Sequence, residues 1–206
     1  MKTNACEIAF ANSAYLSELW AIRDLARVRA LDPLRWGPQL DEQLRDEVRH
    51  ARMLLEFLKS SSTEIVVDLN YSMQERLYRQ YVDLGASKTV GEVCAVHDVT
   101  EWRAAWIYRT FLKTGESAQL KQISSEILED EKRHASMTGE VISSGEASLL
   151  TSALRGIDRR LFRRDIPERF GRQLLHSSSF WSFYFEGAPR VSAAGRPASY
   201  GLDEVS

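Results

Sequence analysis

A chain of 206 residues with 44% hydrophobic and 27% charged residues has the size and make-up of one globular domain with a sizeable core. A formal net charge of −2 argues against a general nucleic-acid-binding surface, and two cysteines, Cys6 and Cys94, exclude a disulfide framework, a cysteine-rich zinc site and a rubredoxin-like module. Apolar runs are too short to span a membrane and residues 1–10 lack the apolar core of a secretory signal, so a cytoplasmic protein is expected.

Residues 5–31 read as a first helix with an apolar stripe through Ala11, Ala14, Tyr15, Ile22 and Leu25. Glu18 falls inside that stripe, where a carboxylate needs a partner; alone, it reads more simply as a helix-edge side chain reaching for water. Leu31-Asp32-Pro33 ends the helix, and Pro38, suited to a first helical position, opens a second over 38–60. Leu40, Leu44, Glu47, His50, Ala51, Leu54, Phe57 and Leu58 share its inner face. Residues 61–88 form a connection too long for a tight turn, with a β-prone run at 64–69 and a helix-like piece at 72–84. The third long helix covers 89–113, opened by Thr89 and Glu92 at capping-box spacing, with Val93, Cys94, His97, Glu101, Ala104, Ala105, Tyr108 and Phe111 inward. The fourth covers 117–143 with Leu120, Ile123, Ile127, Glu131, His134, Thr138 and Val141 inward. Residues 146–164 suggest a fifth helix, seven arginines fall within 155–172, and an aromatic run follows at 180–185. A helical bundle over 1–145 is thus expected, with 146–206 as a C-terminal helix and irregular tail packed on it.

The second and fourth helices carry one device twice: Asp46-Glu47-Val48-Arg49-His50 and Asp130-Glu131-Lys132-Arg133-His134. Residues three apart share a helix face, so each Glu and His point the same way, and a carboxylate with an imidazole suits a transition metal. One such motif in a charged helix is usually a solvated face; two copies, both in apolar stripes, are a far stronger signal. The spacing adds weight. Glu18 and Glu47 are 29 residues apart and Glu101 and Glu131 are 30 apart, each pair straddling a short turn at similar distances from it. At ~1.5 Å of rise per residue, each pair lies within about a turn in height. Glu18, Glu47, His50, Glu101, Glu131 and His134 are therefore the candidate ligands of a two-metal site.

This set, Glu18, Glu47-x-x-His50, Glu101 and Glu131-x-x-His134, resembles the ligands of the ferritin-like di-iron carboxylate superfamily over residues 5–143. The D-E-x-R-H runs are similar to those of acyl-carrier-protein desaturases and bacterial di-iron monooxygenases; the ligand order is also similar to that of bacterioferritin. The resemblance implies an all-α, ferritin-like four-helix bundle with a long crossover between its second and third helices. It implies that Asp46 and Asp130 hold the ligand histidines from behind, with Arg49 and Arg133 joining them. It further implies two iron ions, with manganese as the alternative metal, and dioxygen as co-substrate. A non-haem di-iron oxygenase or oxidase acting on a small organic substrate, by hydroxylation, desaturation or N-oxygenation, is the first expectation. The alternative is an iron-storage ferroxidase of bacterioferritin type. The substrate would be a small molecule or a carrier-tethered one, an external electron donor would be required, and a homodimer is compatible. Two departures stand out: Ala104 and Ala105 occupy the positions where desaturases and monooxygenases carry a Thr, and Leu54 stands where a radical-storing Tyr would lie.

Two further residues are candidates for the chemistry. His97, one turn before Glu101, reads either as a hydrogen-bonded core histidine or as a group lining the cavity within reach of a metal or its water. Tyr108 reads as a core residue with a satisfied hydroxyl or as a redox-active group. The arginine run reads as a solvated face, or as a surface for an acidic carrier or a phosphate-bearing substrate.

Overall fold

The computed structural model describes residues 5–34, 37–61, 89–142 and 149–160. The expected crossover at 62–88, the aromatic run at 180–185 and the arginines beyond residue 160 lie outside the described residues. Four long helices run over Ala5–Leu31 (α1), Pro38–Ser60 (α2), Val90–Thr114 (α3) and Ala118–Ile142 (α4), and residues 149–160 form a fifth (α5). No strand occurs among the described residues, and none of the described helices is long and apolar enough to cross a membrane.

The helix starts follow from local chemistry. Gly37 precedes Pro38, whose ring presets the first helical residue of α2. At α3 the Thr89 hydroxyl accepts from the Glu92 amide at 3.2 Å while the Thr89 amide donates to the Glu92 carboxylate at 2.9 Å, so two donors at the helix end are satisfied reciprocally. The start of α4 is capped from a distance. Glu7 of α1 accepts from the amides of Glu116 and Ser117, both at 2.7 Å, and the Ser117 hydroxyl accepts from the Leu120 amide at 3.2 Å. A carboxylate at a helix N-terminus also meets the positive end of the helix dipole.

α1 packs against α2 and α3, and α4 packs against α3 and α2. Contacts run in opposite directions along each pair. Glu7 meets Ser117 and Phe10 stacks on Phe111, whereas Leu25 and Val28 share a pocket with Cys94 and His97 farther along, so α1 and α3 are antiparallel. Asp46 reaches His134 while His50 reaches Asp130, so α2 and α4 are antiparallel too. Hence α2 and α3 run the same way, and Ser61 and Thr89 lie at opposite ends of the helices.

Burial corrects the sequence reading in three places. In α1 the inner face is broader than the expected stripe: Trp20 and Ala21 are buried and Ile22 is only half-buried, because α1 faces two neighbours. In α2 the buried residue is Gln43, while Leu44 is half-buried. In α3 every residue from Val93 to Glu101 is buried, polar ones included. α1 and α4 pack on this helix, and α5 joins it through two ion pairs: Arg155 donates to Asp98 at 3.0 Å, and Arg103 pairs with Asp158. Arg155, expected on a solvated basic face, is thus turned onto the core, and Leu154 and Ile157 are buried beside it.

Candidate metal centre

Midway along α1 to α4, four carboxylates and two imidazoles meet in the interior. Glu18, Glu47, His50 and Glu131 offer ligand atoms that all lie within 4.8 Å of one another, and so do Glu47, Glu101, Glu131 and His134. Glu47 and Glu131 belong to both groups. They therefore stand between two positions, one completed by Glu18 and His50, the other by Glu101 and His134. None of the six residues is more than 4% exposed, which excludes a solvated acidic patch.

The imidazoles are held by a crossed arrangement. Both turn Nδ1 toward the carboxylates: His50 lies 3.5 Å from Glu18, and His134 lies 3.1 Å from Glu47. Both turn Nε2 away, toward an aspartate of the other motif. His50 Nε2 lies 3.0 Å from Asp130, and His134 Nε2 lies 3.3 Å from Asp46. An Nε2–H donated to a carboxylate leaves the Nδ1 lone pair facing inward, as a metal ligand requires. Arg49 bridges Asp46 at 3.0 Å and Asp130 at 2.5 Å; Arg133 bridges Asp130 at 2.9 Å and Asp46 at 2.5 Å. Burial works against charge at both aspartates, but their histidine and arginine partners outweigh it and hold each carboxyl below its ordinary value.

The electrostatics of the inner six show what the cluster needs. Burial, reinforced by Glu47, pushes Glu18 up to about 8 despite the opposing pull of His50. Burial and the Glu101 carboxylate push Glu131 well above the ordinary value. Burial opposes charge on His50, yet Glu18 and Glu47 overcome it and raise the imidazole to about 10; His134 is raised in the same way by Glu101, Glu131 and Glu47. Glu47 is held well below its ordinary value, since His134 and His50 outweigh its burial. Left to itself, the cluster must hold protons to stay neutral. Both Glu47 oxygens, one oxygen each of Glu101 and Glu131, and Nδ1 of His50 are buried without a hydrogen-bond partner. Four carboxylates and two imidazoles around such atoms fit a pair of divalent cations, whose charges would replace the protons.

No family model, no curated protein and no solved structure matches the chain. The centre is therefore read from its own chemistry.

The remaining candidates sit around it. The Tyr108 hydroxyl donates to Glu18 at 2.6 Å and is itself buried, so it fixes that carboxylate. Burial and the neighbouring Glu18 charge keep the phenol neutral. His97 belongs to neither group of metal-binding geometry; its Nε2 lies 3.2 Å from Glu101 and 2.8 Å from the Gln43 amide. Ala104 and Ala105 are half-buried against the apolar cluster of Leu54, Tyr108 and Ile127. Gln43, Asp24 and Asp98 are buried polar residues outside the expected set. Gln43 had a readable signal, since it stands one helical turn before Glu47 on the same face. Asp24 and Asp98 had none, being single acidic residues in mixed stretches.

Proposed function

We propose that the protein is a ferritin-like four-helix bundle holding two iron ions and that it uses dioxygen to oxidise a small organic substrate. One observation carries this reading: two buried carboxylates are common to two ligand groups, each completed by one further Glu and one His. Glu18, Glu47, His50 and Glu131 would hold one ion, and Glu47, Glu101, Glu131 and His134 the other. Two ferrous ions at such a centre supply the electrons with which dioxygen is reduced. The chain's own contribution is orientation and exclusion of water. Asp130 and Asp46 fix the ring planes of His50 and His134, Tyr108 fixes Glu18, and the apolar cluster around Leu54, Phe57 and Ile127 keeps solvent out on one side. An external electron donor and a small or carrier-tethered substrate complete the proposal.

Anaerobic loading with Fe(II) should give two irons per chain, and admission of oxygen should produce a near-ultraviolet charge-transfer band. Glu131→Ala and His134→Ala should abolish the band, and Glu126→Ala, at an exposed position of α4, should leave it intact. Saturation at one iron per chain would sink the dinuclear reading.

A further inference from the structure

The two halves of the centre are built on matching positions, and three of those positions differ in kind. Four residues before Glu18 stands Ala14, and four before Glu101 stands His97. Four before Glu131 stands Ile127, and four before Glu47 stands Gln43. Seven after Glu101 stands Tyr108, and seven after Glu18 stands Leu25. Ala14, Ile127 and Tyr108 all belong to one continuous buried apolar cluster, with the Tyr108 hydroxyl satisfied on Glu18. Their counterparts His97, Gln43 and Leu25 instead line a pocket with room for about one water molecule.

That pocket is lined by Leu25, Val28, Leu40 and Cys94 together with Asp24, Gln43 and His97, and its surface is almost wholly apolar. Gln43 is 1% exposed and His97 4% exposed, so neither reaches bulk solvent. Nδ1 of His97 and one amide atom of Gln43 make no hydrogen bond. Turning the Gln43 amide over exchanges which of its atoms meets His97 and still leaves the other unmatched. A water-sized and mostly apolar pocket suits a small, weakly polar guest such as a diatomic gas. His97 stands between that place and the Glu101 carboxylate, 3.2 Å from its nearer oxygen. Among the described residues, Asp–Arg contacts lie over the histidines between α2 and α4, the apolar cluster lies on the Glu18 side, and α5 is joined to α3 by an ion pair.

We propose that this pocket is the route by which dioxygen-sized solutes reach the centre, arriving on the Glu101 side, with the Gln43–His97 pair as its gate. The inference rests on the two-metal reading, so its test separates the two. Cobalt(II) is loaded in place of iron, and azide serves as a small linear probe followed by stopped-flow visible absorption. Wild type should hold two cobalt ions and bind azide. Leu25→Phe, which fills the pocket, should keep both ions and bind azide roughly tenfold more slowly; His97→Ala, which removes the gate, should keep both and bind it roughly tenfold faster. Val28→Ile, one methyl group larger, repeats the slowing should the bulkier change prevent folding. Glu126→Ala, at an exposed position of α4, should leave the rate unchanged. Equal azide rates in wild type, His97→Ala and the pocket-filling variants would overturn the route while leaving the two-metal reading in place. Loss of one cobalt in His97→Ala would make His97 a ligand and overturn the gate. Fewer than two cobalt ions in wild type would overturn the metal centre and the route together.

Discussion

Asp130 does not serve the histidine of its own motif. It lies against His50, and Asp46 lies against His134, so each D-E-x-R-H run orients the imidazole of the other. Asp130→Ala should therefore weaken the ion held by Glu18 and His50 by roughly 10–100-fold, while the ion held by Glu101 and His134 stays near wild-type affinity. Asp46→Ala should do the reverse. A two-step cobalt titration distinguishes them, and equal weakening of both steps in both variants would contradict the crossed assignment. Arg49 and Arg133 each touch both aspartates, which explains why the motif needs its interior arginine at that spacing.

At the scale of the helices, the turn between α3 and α4 carries the tightest steric constraint. A Cβ at Gly115 would come within 2.5 Å of the Phe111 ring, which is buried and stacked on Phe10 at 4.2 Å between centroids. The ring has nowhere to go, so Gly115→Ala should destabilise by about 1–3 kcal/mol, measurable as a lower midpoint in urea with an unchanged slope. The helices themselves were legible because their signals are local: Pro38 after Gly37, the Thr89–Glu92 box, and apolar periodicity on α2 and α4. The convergence of the six central residues was legible for a related reason, since Glu and His at i and i+3 inside an apolar stripe can point only inward. What stayed hidden is long-range and polar. Nothing near Asp98 or Arg103 announces that α5 will arrive to neutralise them.

For the molecule as a whole, a metal at the proposed centre would compete with protons for the same groups, and this fixes the sign of the expected pH dependence. In the metal-free protein Glu18 is raised from 4.5 to about 8 and His50 from 6.5 to about 10. Between pH 6.5 and 8 the folded chain therefore binds more protons at these groups than the unfolded chain does. Stability from both is present at the acid side of that window and declines as pH rises through it. Metal-free protein should accordingly melt at a lower temperature at pH 8 than at pH 6.5, whereas metal-loaded protein should hold or gain, because deprotonation favours its ligands. Parallel melting curves for the two forms would contradict the linkage. Assembly separates the remaining functional alternatives: an oxidising enzyme should elute from a sizing column as a monomer or dimer, and a storage ferroxidase as a large hollow shell.

The crossed support of the histidines also constrains when the centre can come into being. A ribosome delivers Glu18, Glu47 and His50 long before Glu131 and Asp130 exist. A nascent chain at that stage has Glu47 but lacks Glu131, the second shared carboxylate, and Asp130, the group that turns His50 inward. The first half cannot capture an ion in the finished manner, and the second half, arriving later, has no partner except the first. A two-metal centre as proposed can therefore form only once residues from Glu18 to His134 have all been made and packed together.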